Sequence, residues 1–166
     1  MKPLKSAGAA LLLGLGMTAT AGAEDMLTQK NIGLDLARDI ANTAVMDCRE
    51  KGYQVSAVVV DRNGNLRAAL RDDLAPRFTL QISEEKANAV IMGGVNTGTL
   101  ISNRSDIARE LNHIDGLIMM RGGVEIRSGG SLIGAVGVSG APGGDIDEEC
   151  AANAVKEYEM RLEFAD

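Results

Sequence analysis

Residues 131–140 read SLIGAVGVSG, an apolar β-branched run interrupted by glycine at positions 134, 137 and 140. Glycine inside a strand costs backbone entropy and offers no side chain to pack, so its presence marks a place where something approaches the backbone closely. The run therefore belongs to a sheet whose surface is met at short range by a helix, a ligand or another subunit.

The flanking pattern supplies the rest of such a sheet and its cover. The stretch VSAVVVDRNGNLRAAL reads as two strands joined at Asn63-Gly64, whose tolerance of positive φ suits a tight hairpin. After Gly116, the runs Leu117 to Met120, Val124 to Arg127 and Ser131 to Ser139 are punctuated by Gly122-Gly123 and Gly129-Gly130, as in a three-stranded meander. Leu27 to Lys51 has helical spacing, with Thr28 as N-cap, a Leu27–Ile32 staple, and Ala37, Ala41, Ala44 and Cys48 on one inward stripe. Phe78 to Met92 predicts a second helix, and Thr97 to Leu111 a third, broken one. Asp145 caps a final helix, Glu148 completes the capping box, and Cys150, Ala151, Ala154, Val155, Tyr158 and Leu162 face inward. The order predicts one α+β domain with a five-stranded antiparallel sheet.

Cys48 and Cys150 both fall on core-facing stripes. Their sulfurs meet if the first and last helices pack antiparallel on one face of the sheet; otherwise they are two buried thiols. The chain begins MKPLK, continues through the apolar run SAGAALLLGLGMTAT, and offers Ala21 and Ala23 as small residues for a peptidase. That layout predicts a secretory signal over residues 1–23, a single domain over residues 24–166, and a periplasmic or secreted address where a disulfide persists. The apolar run is too short and too rich in glycine to span a bilayer, so no membrane anchoring is expected after cleavage. A formal net charge of −6 and an aromatic content of 2% with no Trp argue against nucleic acid, which needs a basic surface and stacking rings.

No complete catalytic or metal-binding set can be read from the residues. One His and two distant Cys do not make a zinc site, and no Gly-rich loop stands between a strand and a helix as phosphate binding requires. The acids Asp145, Asp147, Glu148 and Glu149 read as partners for a helix N-terminus. Lys86, beside Glu84 and Glu85, reads as a solvated or ion-paired surface residue. His113, in LNHIDG, is either an ordinary loop residue or an axial donor of the kind a haem or corrinoid uses. Met119 and Met120 read as packing residues, since at most one of them can share a face with such a pocket.

Taken together, VVVDRNGNLRAALRDD, EKANAVIMGGVNTGTL and GLIMMRGGVEIRSGGSLIGAVGVSGAPGGDIDEECAANAV resemble the GlcG/HbpS family, related to the C-terminal domain of PduO-type proteins. The family's proline after Gly-Gly-Val is replaced here by Glu125. The resemblance implies a profilin-like fold with both terminal helices on one face, which brings Cys48 and Cys150 together. It also implies homo-oligomers, octamers among them, and haem or a related tetrapyrrole as ligand. On that footing the chain is an exported, non-covalent haem-binding protein for uptake, storage or sensing. His113 is the metal ligand, and Arg71, Arg121 or Lys86 are partners for the propionates. Two other readings stand beside it: a non-catalytic accessory to an exported dehydrogenase or sensor, and a haem-degrading enzyme.

Overall fold

A computed structural model describes residues 27–164; the expected signal over residues 1–23 lies outside them. The helices are α1 (Leu34–Glu50), α2 (Phe78–Gly93), α3 (Thr97–Asn103), α4 (Ala108–Leu111), α5 (Gly144–Glu157) and α6 (Glu159–Glu163). The strands are β1 (Ser56–Asp61), β2 (Leu66–Arg71), β3 (Gly123–Ser128) and β4 (Ser131–Ser139), forming one antiparallel sheet in the order β2-β1-β4-β3. The fold is α+β, with helices on both faces, and no described helix is long and apolar enough to cross a membrane.

Every residue of β1 is buried, because its alternate side chains meet two different cores. Ala57 and Val59 face α1 and α5 together with Val136 and Val138, while Val58 and Val60 face α2 together with Ala135. The terminal helices thus share one face and α2 covers the other. Cys48 of α1 and Cys150 of α5 are joined by a disulfide in that shared core, with Cα atoms 5.6 Å apart.

The glycines of β4 answer the question their spacing raised. Gly137 pairs in register with Gly123 of β3, and α2 lies directly over this bare patch. A Cβ at Gly137 would fall 1.9 Å from the Ser83 carbonyl oxygen, and one at Gly123 would fall 2.5 Å from that of Lys86. At Gly134 the nearest neighbours are the Val60 carbonyl oxygen of β1, 2.5 Å from a Cβ placed there, and then the side chain of Ile32, whose N–H donates to Ile133 O at 3.0 Å.

Three sequence expectations are corrected. The sheet has four strands rather than five, because the backbone of residues 117–120 is used inside a loop: Leu117 N–H donates to Ile114 O and Met119 N–H to Asn112 Oδ1. The first helix starts at Leu34 rather than Leu27. Ile32 is anchored on β4 instead, and Leu27 is exposed, so no staple forms across Thr28. Asp145 is not the cap of α5, whose N-cap is Gly143, and Leu162 lies on the separate short helix α6.

Candidate functional site

The loop carrying His113 grows out of α4. Asn112 keeps helical dihedrals, and the His113 and Ile114 N–H groups donate back to Glu110 O and Leu111 O, so the turn tightens before breaking at Gly116 with φ +83°. Two side-chain amides then fix its shape. Asn112 Oδ1 accepts the Met119 N–H at 2.7 Å, and Asn88 of α2 donates to Gly116 O at 3.1 Å. The result is a concavity of about 340 Å³ lined by the apolar Ile114, Leu117, Ile118 and Met120 and by Asn112, Gly116 and the two acids Glu85 and Asp115. Ile114 and Met120 are large apolar side chains left about half exposed there; His113 is exposed on the same loop, beside the concavity rather than in its lining.

A tetrapyrrole needs an iron donor, an apolar wall and cations for its carboxylates. The loop offers the His113 imidazole, with the Met120 thioether as a second soft donor, and the wall of Ile114, Leu117 and Ile118. A larger cleft, about 500 Å³, lies between β3 and α5–α6, but its lining contains no His, Cys, Met or Tyr to reach an iron.

The expected carboxylate partners are not gathered at the loop. Arg71 ends β2 on the edge of the sheet and donates to the Ala75 carbonyl. Arg121 directly follows Met120 and is exposed, with a loose ion pair to Glu148 at 3.5 Å. Lys86 is not a surface residue: it is 1% exposed, and its Nζ donates to Asp147 Oδ2 and to Val138 O, both at 2.8 Å. Lys86 therefore cannot reach a ligand. Arg109, which sequence reasoning passed over, lies on α4 four residues before His113, which itself stands in the tightened turn past the helix's last residue, Leu111. Arg121 and Arg109 are the cations that flank the loop.

The acids at the start of α5 are likewise more than dipole partners. Burial pulls the Lys86 ammonium below its ordinary value, against the attraction of Asp147, and pushes the Asp147 carboxyl up against that of Lys86. Asp147 Oδ1 also accepts the Ala141 N–H. Glu148 Oε2 accepts from the Thr97 hydroxyl and from the Gly98 and Gly122 N–H groups. These two carboxylates tie α2, α3, β4 and the entry to β3 together, and so hold the chain on either side of the 112–120 loop. The sequence signal was available: Thr79, Ser83, Lys86 and Val90 fall on one stripe of α2, so Lys86 shares the stripe of buried residues.

The model of the family described as haem degrading protein HbpS-like matches residues 32–156. This chain belongs to the HbpS-like family. The crystal structure of HbpS is 31% identical, with a TM-score of 0.76 over 82% of this chain and 96% of that one. A double mutant of Streptomyces reticuli HbpS is 28% identical, with a TM-score of 0.76 over 92% of this chain and 98% of that one. A complex of PduOC with haem is 19% identical and shares the fold, with a TM-score of 0.67 over 76% of this chain and 94% of that one. No curated protein matches the chain significantly. The HbpS-like match spans α1 through most of α5, so it takes in the 112–120 loop and the buried Lys86–Asp147 pair as well as the sheet.

Proposed function

We propose that this HbpS-like chain is an exported haem-binding protein that takes haem non-covalently at the 112–120 loop, for uptake, storage or sensing. The observation that carries the reading is an exposed His113 on the loop whose half-exposed Ile114 and Met120 wall a concavity of about 340 Å³, within the size range of small-molecule sites. His113 would hold the iron, and Arg121 and Arg109 would meet the propionates in place of Arg71 and Lys86. Bound haem supplies a redox-active iron, and the chain supplies the imidazole, the apolar wall and the cations. The family's haem description and the haem-bound PduOC neighbour support the choice of ligand. The disulfide supports an oxidising compartment, and a homo-oligomer is part of the same reading.

The test is a haemin titration of the purified protein followed in the visible spectrum, with His113→Ala and Arg121→Ala alongside. A saturable Soret shift that His113→Ala abolishes or displaces is expected. A wild-type protein with no shift overturns the reading and leaves an accessory, ligand-free protein. Release of an open-chain product when a reductant is added would instead make the chain a haem-degrading enzyme. Export is checked by the mass of the periplasmic protein, which is expected to begin at Glu24.

A further inference from the structure

The two edges of the sheet are treated differently. On β3 the outward N–H groups are already used, Gly123 donating to Thr97 Oγ1 and Glu125 to Asn96 Oδ1, so side chains of α3 and its N-cap close that edge. Among the described residues no such cover lies on β2, which has β1 on one side and no strand on the other. Its α1-facing side chains Ala68 and Leu70 pack on the core. On the other face α2 lies mainly over β1 and β4, and beside it a groove of about 360 Å³ remains, floored by Leu66, Ala69 and Leu80. Leu66 is 54% exposed and Phe78, at the groove's end, 59%.

The rim of this groove carries a charge pattern. Arg77, Gln81 and Glu84 recur along one stripe of α2, and neither Arg77 nor Glu84 has an ion-pair partner among the described residues. The Arg77 guanidinium rests on the Phe78 ring, 4.1 Å from its centroid. Opposite charges two turns apart on one helix face, about 10 Å by the helical rise, match themselves when the helix is turned end for end. An isologous contact has that property, since a residue that meets a second residue of the other copy is matched by that second residue meeting the first.

We propose that this groove is the face on which two copies of the chain meet, by a two-fold contact that sets Arg77 of each copy against Glu84 of the other. Gln81, midway along the stripe, then lies nearest the two-fold axis, and Phe78 lies beside Arg77 in each ion pair. The proposal rests on the homo-oligomer part of the reading above and gives that oligomer a surface.

The test is sedimentation or light scattering across a dilution series for the wild type, Arg77→Glu, Glu84→Arg, and the double reversal Arg77→Glu/Glu84→Arg. Each single reversal opposes like charges across the two-fold and is expected to weaken association by at least about ten-fold. The double reversal restores the pairing and is expected to return association toward wild type. Thermal melts by circular dichroism establish that each variant folds. A wild type that stays monomeric at all concentrations overturns both the surface and the oligomer. An oligomer indifferent to the single reversals, or not rescued by the double, overturns this surface alone. Haem binding is read separately, so its failure does not imitate either outcome.

Discussion

Lys86 Nζ of α2 lies 2.8 Å from Asp147 Oδ2 of α5, and neither side chain is more than 4% exposed. The pair joins two helices from opposite faces of the sheet, passing beside Gly122, where a Cβ would fall 2.7 Å from the ammonium. Only a residue without a side chain leaves room for that ammonium.

Removing one partner strands the other charge in the core. Lys86→Met and Asp147→Leu are each expected to lower unfolding stability by about 3–5 kcal/mol, and the double variant by less than the sum, because no lone charge is then left buried. Urea unfolding of the four proteins measures this. Strict additivity would show that the two groups do not interact.

Acid stability is set partly by Asp72 and Asp61. The Arg49 guanidinium holds the Asp72 carboxyl below its ordinary value; at Asp61 burial pushes upward, but the Asn65 and Asn63 N–H groups outweigh it. A carboxyl depressed in the folded state binds protons more readily when unfolded, so its contribution is complete above the unfolded value, near 4, and is lost as pH falls through the folded one. The urea midpoint is therefore expected to fall steeply below about pH 4, and Asp72→Asn to make that acid limb shallower. An identical limb in Asp72→Asn would remove Asp72 as its cause.

The disulfide closes a loop with a sequence separation of 102 residues. Reduction, or Cys48→Ala with Cys150→Ala, is expected to cost about 4–5 kcal/mol in the chain-entropy view. Denaturation with and without reductant reads the difference, which the double alanine variant should not show.

Gly137→Ala places a methyl against the Ser83 carbonyl under α2 and is expected to cost at least about 3 kcal/mol. Gly33→Ala, where a Cβ meets nothing within 4 Å, is the control and is expected to cost no more than about 1 kcal/mol, the preference of the α1 N-cap for Gly over Ala. Thermal melts of both test whether α2 rests on bare backbone.

Much of this was legible along the chain. The hairpin at Asn63-Gly64, the span of α2 and the broken run of α3 and α4 follow local periodicity, and the two cysteine stripes anticipated the disulfide. Residues 117–120 misled because an apolar run fits a strand until its N–H groups are seen to be claimed by Asn112 and Ile114. Lys86 misled because charge argues for the surface, whereas its place on a stripe with Ser83 and Val90 argues for the interior. At the candidate site His113 and Arg121 could be named from sequence, whereas Arg109 was passed over. Arg71 lies on the β2 edge of the sheet, whereas Arg109 lies on α4, the short helix from which the His113 loop leaves.

By itself the sequence determined which segments would pair and which faces would turn inward, because burial follows periods of 2 and 3.6 that neighbouring residues set among themselves. It also determined that something must press on β4 at its glycines. What pressed there, and where the charges went, was decided only by tertiary structure. The Lys86–Asp147 bond spans 61 residues of sequence, and no local pattern records a contact between groups that meet only after the chain has closed around a sheet.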